Sequence, residues 1–190
     1  INERSRGYVK SLRFEGNASF PERVLLKQMK TRPRRMPRSR GVFKRETYEK
    51  DLQALTRFYR KNGFLDMKIT SSEPVPAGRE AVAIVISIEE GRRYTLGNVS
   101  FRGDLIFDEA ALRKVLVLAT PGAVLDEGKL ESNLAALRKL YHDAGYIRAQ
   151  IKAWPSPAEG RQDVLDITYE IVPGVPYVVD EVRITGNTRT

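Results

Sequence analysis

At 190 residues the chain has room for one or two domains, and 41% hydrophobic with 30% charged residues describes a folding chain rather than a disordered one. The absence of cysteine excludes disulfides and thiolate metal sites, and the longest apolar run, Ala81 to Ile86, is far too short for a membrane-spanning helix. The net charge of +9 is local: Lys27 to Arg45 holds nine Lys or Arg residues and no acid, and the remainder is balanced, which argues against a uniformly basic, polyanion-coating surface.

In chain order, residues 9 to 15 read as a strand with Leu12 and Phe14 on one face and Arg13 and Glu15 on the other, ended by a Gly-Asn turn. A helix follows, with Ser19 as its expected cap, Pro21 in its first turn and Val24, Leu25 and Met29 as its apolar stripe. Pro33 and Pro37 stop it, so Thr31 to Phe43 is expected to be a loop. Tyr48, Leu52, Leu55, Phe58 and Tyr59 recur at helical spacing, and Gly63 after Lys61 ends that second helix. Leu65, Met67 and Ile69 alternate as a strand, as do Val82, Ile84, Ile86 and Ile88, with Pro74 to Arg79 as the hairpin between them.

The same order then recurs. A strand is expected over 95–102, helices near 108–117 and 127–144, and strands over 146–154 and 163–172. Leu12-Arg13-Phe14-Glu15-Gly16-Asn17 aligns with Val99-Ser100-Phe101-Arg102-Gly103-Asp104 and again with Val182-Arg183-Ile184-Thr185-Gly186-Asn187. Tyr59 to Phe64 aligns with Tyr141 to Tyr146, and Ile88 to Tyr94 with Ile171 to Tyr177. Repetition of this kind outranks other signals for architecture. It gives two β-α-α-β-β modules, at 8–91 and 92–174, with 1–7 as the tail of a preceding copy and 175–190 as the first strand of a following one. Two helices cover one face of a small sheet, so the other face is expected to stay solvated.

Catalysis finds little support in the sequence. His142 is the single histidine, no cysteine accompanies it, and no phosphate-binding glycine motif is present. The acids Glu89, Glu90, Asp108 and Glu109 fall at a module junction and a helix start, where structural roles account for them.

The order of elements, F-x-G-N after the first strand, Y-x-x-x-G-[FY] closing the second helix and E-G-x-x-Y between modules together resemble the POTRA domain, as it occurs in BamA-like outer-membrane assembly factors. The resemblance implies an α+β fold of tandem POTRA modules, two helices on one face of a three-stranded mixed sheet, with the third strand between the first and second. It implies a periplasmic array ahead of an outer-membrane β-barrel. Its partners are unfolded outer-membrane β-barrel proteins, accessory lipoproteins and adjacent POTRA domains, and no cofactor, metal or nucleic acid is implied. A two-partner secretion transporter shares this domain, and an RNA-binding KH-like tandem is the alternative of a different class, although Thr31 to Gly41 lacks the G-x-x-G grip.

With the third strand central, the second strand of each module is a free edge able to pair with an extended peptide. The expected contact residues are Leu65, Met67, Lys68 and Ile69 in one module and Ile147, Ala149, Ile151 and Lys152 in the other, with Pro74 and Pro155 marking where pairing stops. Lys68 and Lys152 equally resemble charges that discourage edge pairing. Arg32, Arg34, Arg35, Arg38 and Arg40 form an anionic-surface patch suited to lipid head groups or an acidic partner. The equivalent stretch Val117 to Val124 carries no charge, so the patch is private to the first module. Gly91 and Gly174 are the expected inter-module hinges.

Overall fold

The computed structural model describes residues 7–34 and 42–177. Residues 1–6 of the expected tail, the third copy of the hexapeptide, and Arg35, Arg38 and Arg40 lie outside them. The chain divides into two compact units, Ile1–Thr95 with Val124–Gly128, and Leu96–Ala123 with Lys129–Thr190.

The first unit contains β1 (Tyr8–Glu15), α1 (Glu22–Lys27), α2 (Arg45–Lys61), β2 (Lys68–Ser71), β3 (Val75–Pro76) and β4 (Ala81–Glu89). The sheet order is β1-β4-β2, so the third long strand is central, as the resemblance implied. β1 runs parallel to β4, and β2 runs antiparallel to it. A register shift between Val9 and Ser11 brings Val9 and Leu12 to the same buried face despite their odd spacing. Leu25, Met29, Tyr48, Leu55, Tyr59, Ile84 and Ile86 close the core over that face, while Arg13, Glu15 and Val85 remain exposed on the other.

Three local expectations change here. Ser19 does not cap α1, whose N-cap position is Pro21; its N–H and hydroxyl instead donate to the Glu90 carboxylate, at 3.0 and 2.6 Å. The second strand begins only at Lys68, because Leu65 and Asp66 form a turn that drops Met67 into the core. The segment after Pro74 is not a bare hairpin turn, since Val75 and Pro76 pair with Ala83 and Val82 as β3. Proline removes a donor but does not forbid an edge position, where that donor has no partner.

The second unit repeats the plan with β5 (Thr95–Gly103), α3 (Glu109–Lys114), α4 (Glu127–Asp143), β6 (Gln150–Ala158) and β7 (Arg161–Val172), in sheet order β5-β7-β6. Here α3 is capped by its own side chain, Asp108 accepting from the Ala111 N–H at 2.7 Å. β6 starts four residues later than expected and runs through Pro155 and Pro157, which pair with Ile167 and Leu165. Pro155 therefore does not end the ladder.

The landmark residues recur because they make the same contacts. Phe20, Tyr59 and Phe64 meet edge to face, with Tyr59 5.1 and 5.7 Å from its two partners. Phe107, Tyr141 and Tyr146 repeat this at 5.1 and 6.2 Å. Both tyrosines are fully buried, and burial raises the pKa of each phenol. Each hydroxyl also secures the loop after the first strand. Tyr59 donates to Glu90, which holds Ser19, whereas Tyr141 accepts directly from the Ile106 N–H at 3.3 Å.

A second recurring pin was not read from the sequence. Asp51, 3% exposed, accepts from the N–H groups of Lys30 and Thr31 at 2.7 Å each. Its counterpart Asn133, 0% exposed, accepts from Val117 and Leu118 and donates to the Leu118 carbonyl and the Tyr169 hydroxyl. In both units a polar residue on the buried stripe of the long helix thus satisfies the backbone leaving the short one.

Gly16 and Gly103 have φ of 78° and 102°, and a Cβ at either would overlap a carbonyl oxygen of the central strand, Ile88 or Ile171 respectively. Gly122 has φ of 81° but open space around it. Gly103→Ala should therefore cost upwards of about 3 kcal/mol, adding steric overlap to backbone strain. Gly122→Ala should cost about 1 kcal/mol from strain alone. Urea unfolding of the two variants tests the difference.

Candidate functional site

The free edge of each sheet is the feature to which the sequence pointed, and the two edges differ. In the first unit β2 is four residues long, with a register shift between Ile69 and Ser71. The next carbonyl, Ser72, accepts from the Tyr48 hydroxyl at 2.6 Å, and burial, the larger influence, pushes that phenol up to about 12. Short length, a bulge and a capped carbonyl are devices that blunt an edge. Of the expected contact residues only Lys68 and Ile69 lie on the strand. Leu65 sits in the preceding turn and Met67 is 3% exposed in the core.

β6 is nine residues long and makes a continuous ladder with β7 from Gln150 to Pro157. The direction of its outward groups follows from the central strand. The Ile171 carbonyl accepts from the Asp104 N–H on the β5 side, so Ile171 does not exchange hydrogen bonds with Ile151, its partner on β6. The N–H and C=O of Ile151 therefore face the free edge, and those of Ala153, Pro155 and Pro157 share that phase. Consistent with this, Arg138 of α4 reaches over to donate to the Ile151 carbonyl at 3.2 Å. The edge thus offers donors at Ile151 and Ala153 and acceptors further along, where the two prolines remove donors without disturbing β7.

Side chains on β6 alternate accordingly. Ile151 is 2% exposed against the helices, while Lys152 and Trp154 stand on the open face. Ala149 and Ile147 precede the strand, Ile147 half exposed in a turn. Beside them, Arg138, Lys139, His142, Asp143 and Tyr146 complete an open cleft of about 410 Å³. His142 is exposed, as its helical position implied.

The other edge of each sheet begins under cover. Arg34 N–H donates to the Val9 carbonyl and Phe43 N–H to that of Gly7, so both ends of the basic loop lie along the start of β1. Leu96 exchanges hydrogen bonds with Ala123 and Gly122 in the same way at the start of β5. Arg34 also places its guanidinium 4.9 Å from the Tyr8 ring centre, and Arg32 donates to the Thr31 carbonyl. These two cations are exposed but tied to the module.

Gly91 and Gly174 have φ of 69° and 73°. Just beyond them, Tyr94 N–H donates to the Gly63 carbonyl at 2.8 Å and Tyr177 N–H to that of Gly145 at 2.9 Å. The Tyr94 hydroxyl also donates to Asp66 at 2.6 Å, which raises its pKa. The tyrosine of E-G-x-x-Y is therefore a clasp that ties the chain after Gly91 back onto the same unit.

Among the described residues, the open face of the second sheet carries a row absent from the first. Trp154 Nε1–H donates to Glu170 at 2.6 Å, and Arg102 lies 3.3 Å from the same carboxylate oxygen and 5.9 Å from the indole. The indole hydrogen bond, followed by Arg102, holds the Glu170 carboxyl below its ordinary value of 4.5. A depressed carboxylate pKa keeps the contact intact above the ordinary value and loses it as pH falls through the folded one. Trp154 is the single tryptophan of the chain. Its fluorescence should shift on acidification at a pH below the ordinary glutamate value, and that transition should vanish in Glu170→Gln.

A POTRA profile, described as a surface antigen variable number repeat, matches residues 7–91 and 94–174. The whole chain aligns at 28% identity with the outer membrane protein assembly factors BamA of Neorickettsia risticii and of Neisseria meningitidis serogroup B, spanning 26% and 24% of their lengths. A crystal structure of Haemophilus influenzae BamA POTRA3-5 superposes with a TM-score of 0.74 at 24% identity, covering 100% of this chain and 76% of that one. The recurring aromatic triads, glycine closures and central third strand have the same explanation in both units: the chain belongs to the POTRA family, in two tandem copies.

Proposed function

We propose that the chain is the periplasmic POTRA region of a BamA-like outer-membrane assembly factor, and that its second module receives extended segments of unfolded outer-membrane proteins on the β6 edge. The single observation that carries the site is the phase of β6, which turns the backbone groups of Ile151 and Ala153 away from a complete ladder with β7. Backbone pairing recognises chain extension rather than side chains, which suits a receptor for many clients.

The blunted β2 edge supports assigning this task to the second module. Lys68, Ile69, the turn residue Leu65 and the core residue Met67 serve the fold of the first module on this reading, and Ile147, Ala149, Ile151 and Lys152 border the receiving edge of the second. The exposed Arg32 and Arg34, together with Arg35, Arg38 and Arg40 of the same loop, bind anionic lipid head groups or an acidic accessory lipoprotein on this reading. Adjustment near Gly91 and Gly174 orients successive modules toward a barrel. The POTRA match across both copies leaves the KH-like alternative without its fold.

Ala153→Pro removes one outward donor and leaves the β7-facing ladder untouched, as Pro155 and Pro157 already do. It should weaken binding of an extended β-strand peptide about fivefold to tenfold, the value of one lost backbone hydrogen bond. The melting curve should remain close to that of the unsubstituted chain. An NMR titration of both proteins with the same peptide measures the change, and unchanged affinity would remove β6 as the receiving edge.

A further inference from the structure

On the face of the second sheet opposite the helices, all three strands contribute to one surface: Ser100 and Arg102 from β5, Thr168 and Glu170 from β7, and Lys152 and Trp154 from β6. The fold does not call for these residues. The aligned positions of the first module carry Arg13 for Ser100, Glu15 for Arg102, Val85 for Thr168 and Ser87 for Glu170, and the same sheet order forms around them. Trp154 is 48% exposed, so half of its large apolar surface adds nothing to the core.

The indole is nevertheless held in place. Its Nε1–H, the one donor it has, goes to Glu170 at 2.6 Å, and Arg102, 3.3 Å from the same carboxylate oxygen, lies 5.9 Å from the ring centre. With the donor committed, the ring offers its electron-rich apolar face outward. Beside it Thr168, the cross-strand partner of Trp154, shares a 2.9 Å hydrogen bond with Ser100. That bond uses one hydroxyl hydrogen, so the pair keeps one O–H donor and several lone pairs for a ligand. Lys152 stands opposite Glu170 on the other side of the ring.

This mixture narrows the ligand. A cation would stack on an indole, but Arg102 and Lys152 repel it here. An anion meets a guanidinium that already holds Glu170. An apolar side chain would strip water from the carboxylate, the guanidinium and both hydroxyls without replacing their hydrogen bonds. A molecule with an apolar C–H face and a rim of hydroxyls satisfies both halves of the surface, and that is the build of a pyranose ring.

We propose that this face is a carbohydrate platform, on which a neutral glycan strand stacks one sugar on Trp154 and lays its hydroxyls on Thr168, Ser100, Arg102 and Lys152. Neighbouring strands lie about 4.8 Å apart, so the surface from β6 across β7 to β5 spans about 10 Å and takes more than one sugar. The platform uses side chains of the sheet face and is independent of the backbone groups on the β6 edge.

Trp154 is the single tryptophan of the chain, so its emission reports on the platform directly. The 190-residue chain is titrated at neutral pH with cellotetraose, with chitotetraose and, for comparison, with an extended strand peptide. Both sugars are neutral and differ in their N-acetyl groups. One or both should shift the Trp154 emission in a saturable way, with NMR shifts at Thr168 and Ser100. By NMR, Trp154→Ala should weaken sugar binding about tenfold or more, and Thr168→Val, which keeps the side-chain shape, about threefold to tenfold. Both variants should melt close to the unsubstituted chain. Unchanged emission with no shifts at Thr168 and Ser100 for either sugar would overturn the platform, as would sugar binding that survives Trp154→Ala. A response of Trp154 to the peptide alone would overturn it as well and assign the face to a polypeptide.

Discussion

Everything about the availability of β6 depends on how the first strand of the module closes against the last. At Gly103 the chain leaves β5 with its backbone pressed against the Ile171 carbonyl, so closely that no side chain fits. The Asp104 N–H then donates to that same oxygen. This contact commits the Ile171 backbone groups to the β5 side, makes β7 the central strand and turns the matching groups of Ile151 outward. Gly16 meets Ile88 identically in the first module. The glycine that looks like a turn former in sequence is in effect the residue that decides which strand is left with an open edge.

Two copies of one plan have then diverged at that edge. In the first module the strand is cut short, bulged and capped by the Tyr48 hydroxyl. In the second it runs nine residues beside a cleft with cationic walls. The loop between the helices diverges in the opposite sense, basic in the first copy and uncharged in the second. Shared contacts maintain the fold, and the private ones make the two modules different at the sheet edge and in the loop between the helices.

Much of this was legible from residue order. Repetition gave the module plan, alternation in Ile84, Ile86 and Ile88 gave the buried face, and helical spacing gave the two long helices within a residue or two at their ends. What escaped has physical reasons. The phase of a strand cannot be read where apolar alternation continues through a turn, as from Leu65 to Ile69, and proline in Pro155 suggested an end because an edge location tolerates what a central one does not. Asp51 and Asn133 were missed individually, although two polar residues aligned on the apolar stripe of the same helix are a signal that only comparison of the copies exposes. Ser19 looked like a cap because its type fits, and a carboxylate 71 residues away takes its hydrogen bonds instead.

The most direct measurement is amide hydrogen exchange along β6, with and without an extended strand peptide. The account predicts alternation in the free chain: Lys152 and Trp154 N–H groups, bonded to β7, exchange slowly, while those of Ile151 and Ala153 exchange fast. Saturating peptide should protect Ile151 and Ala153 selectively. Protection of these two amides before any peptide is added, or no change on adding it, would contradict the claim that β6 presents an open edge for strand addition.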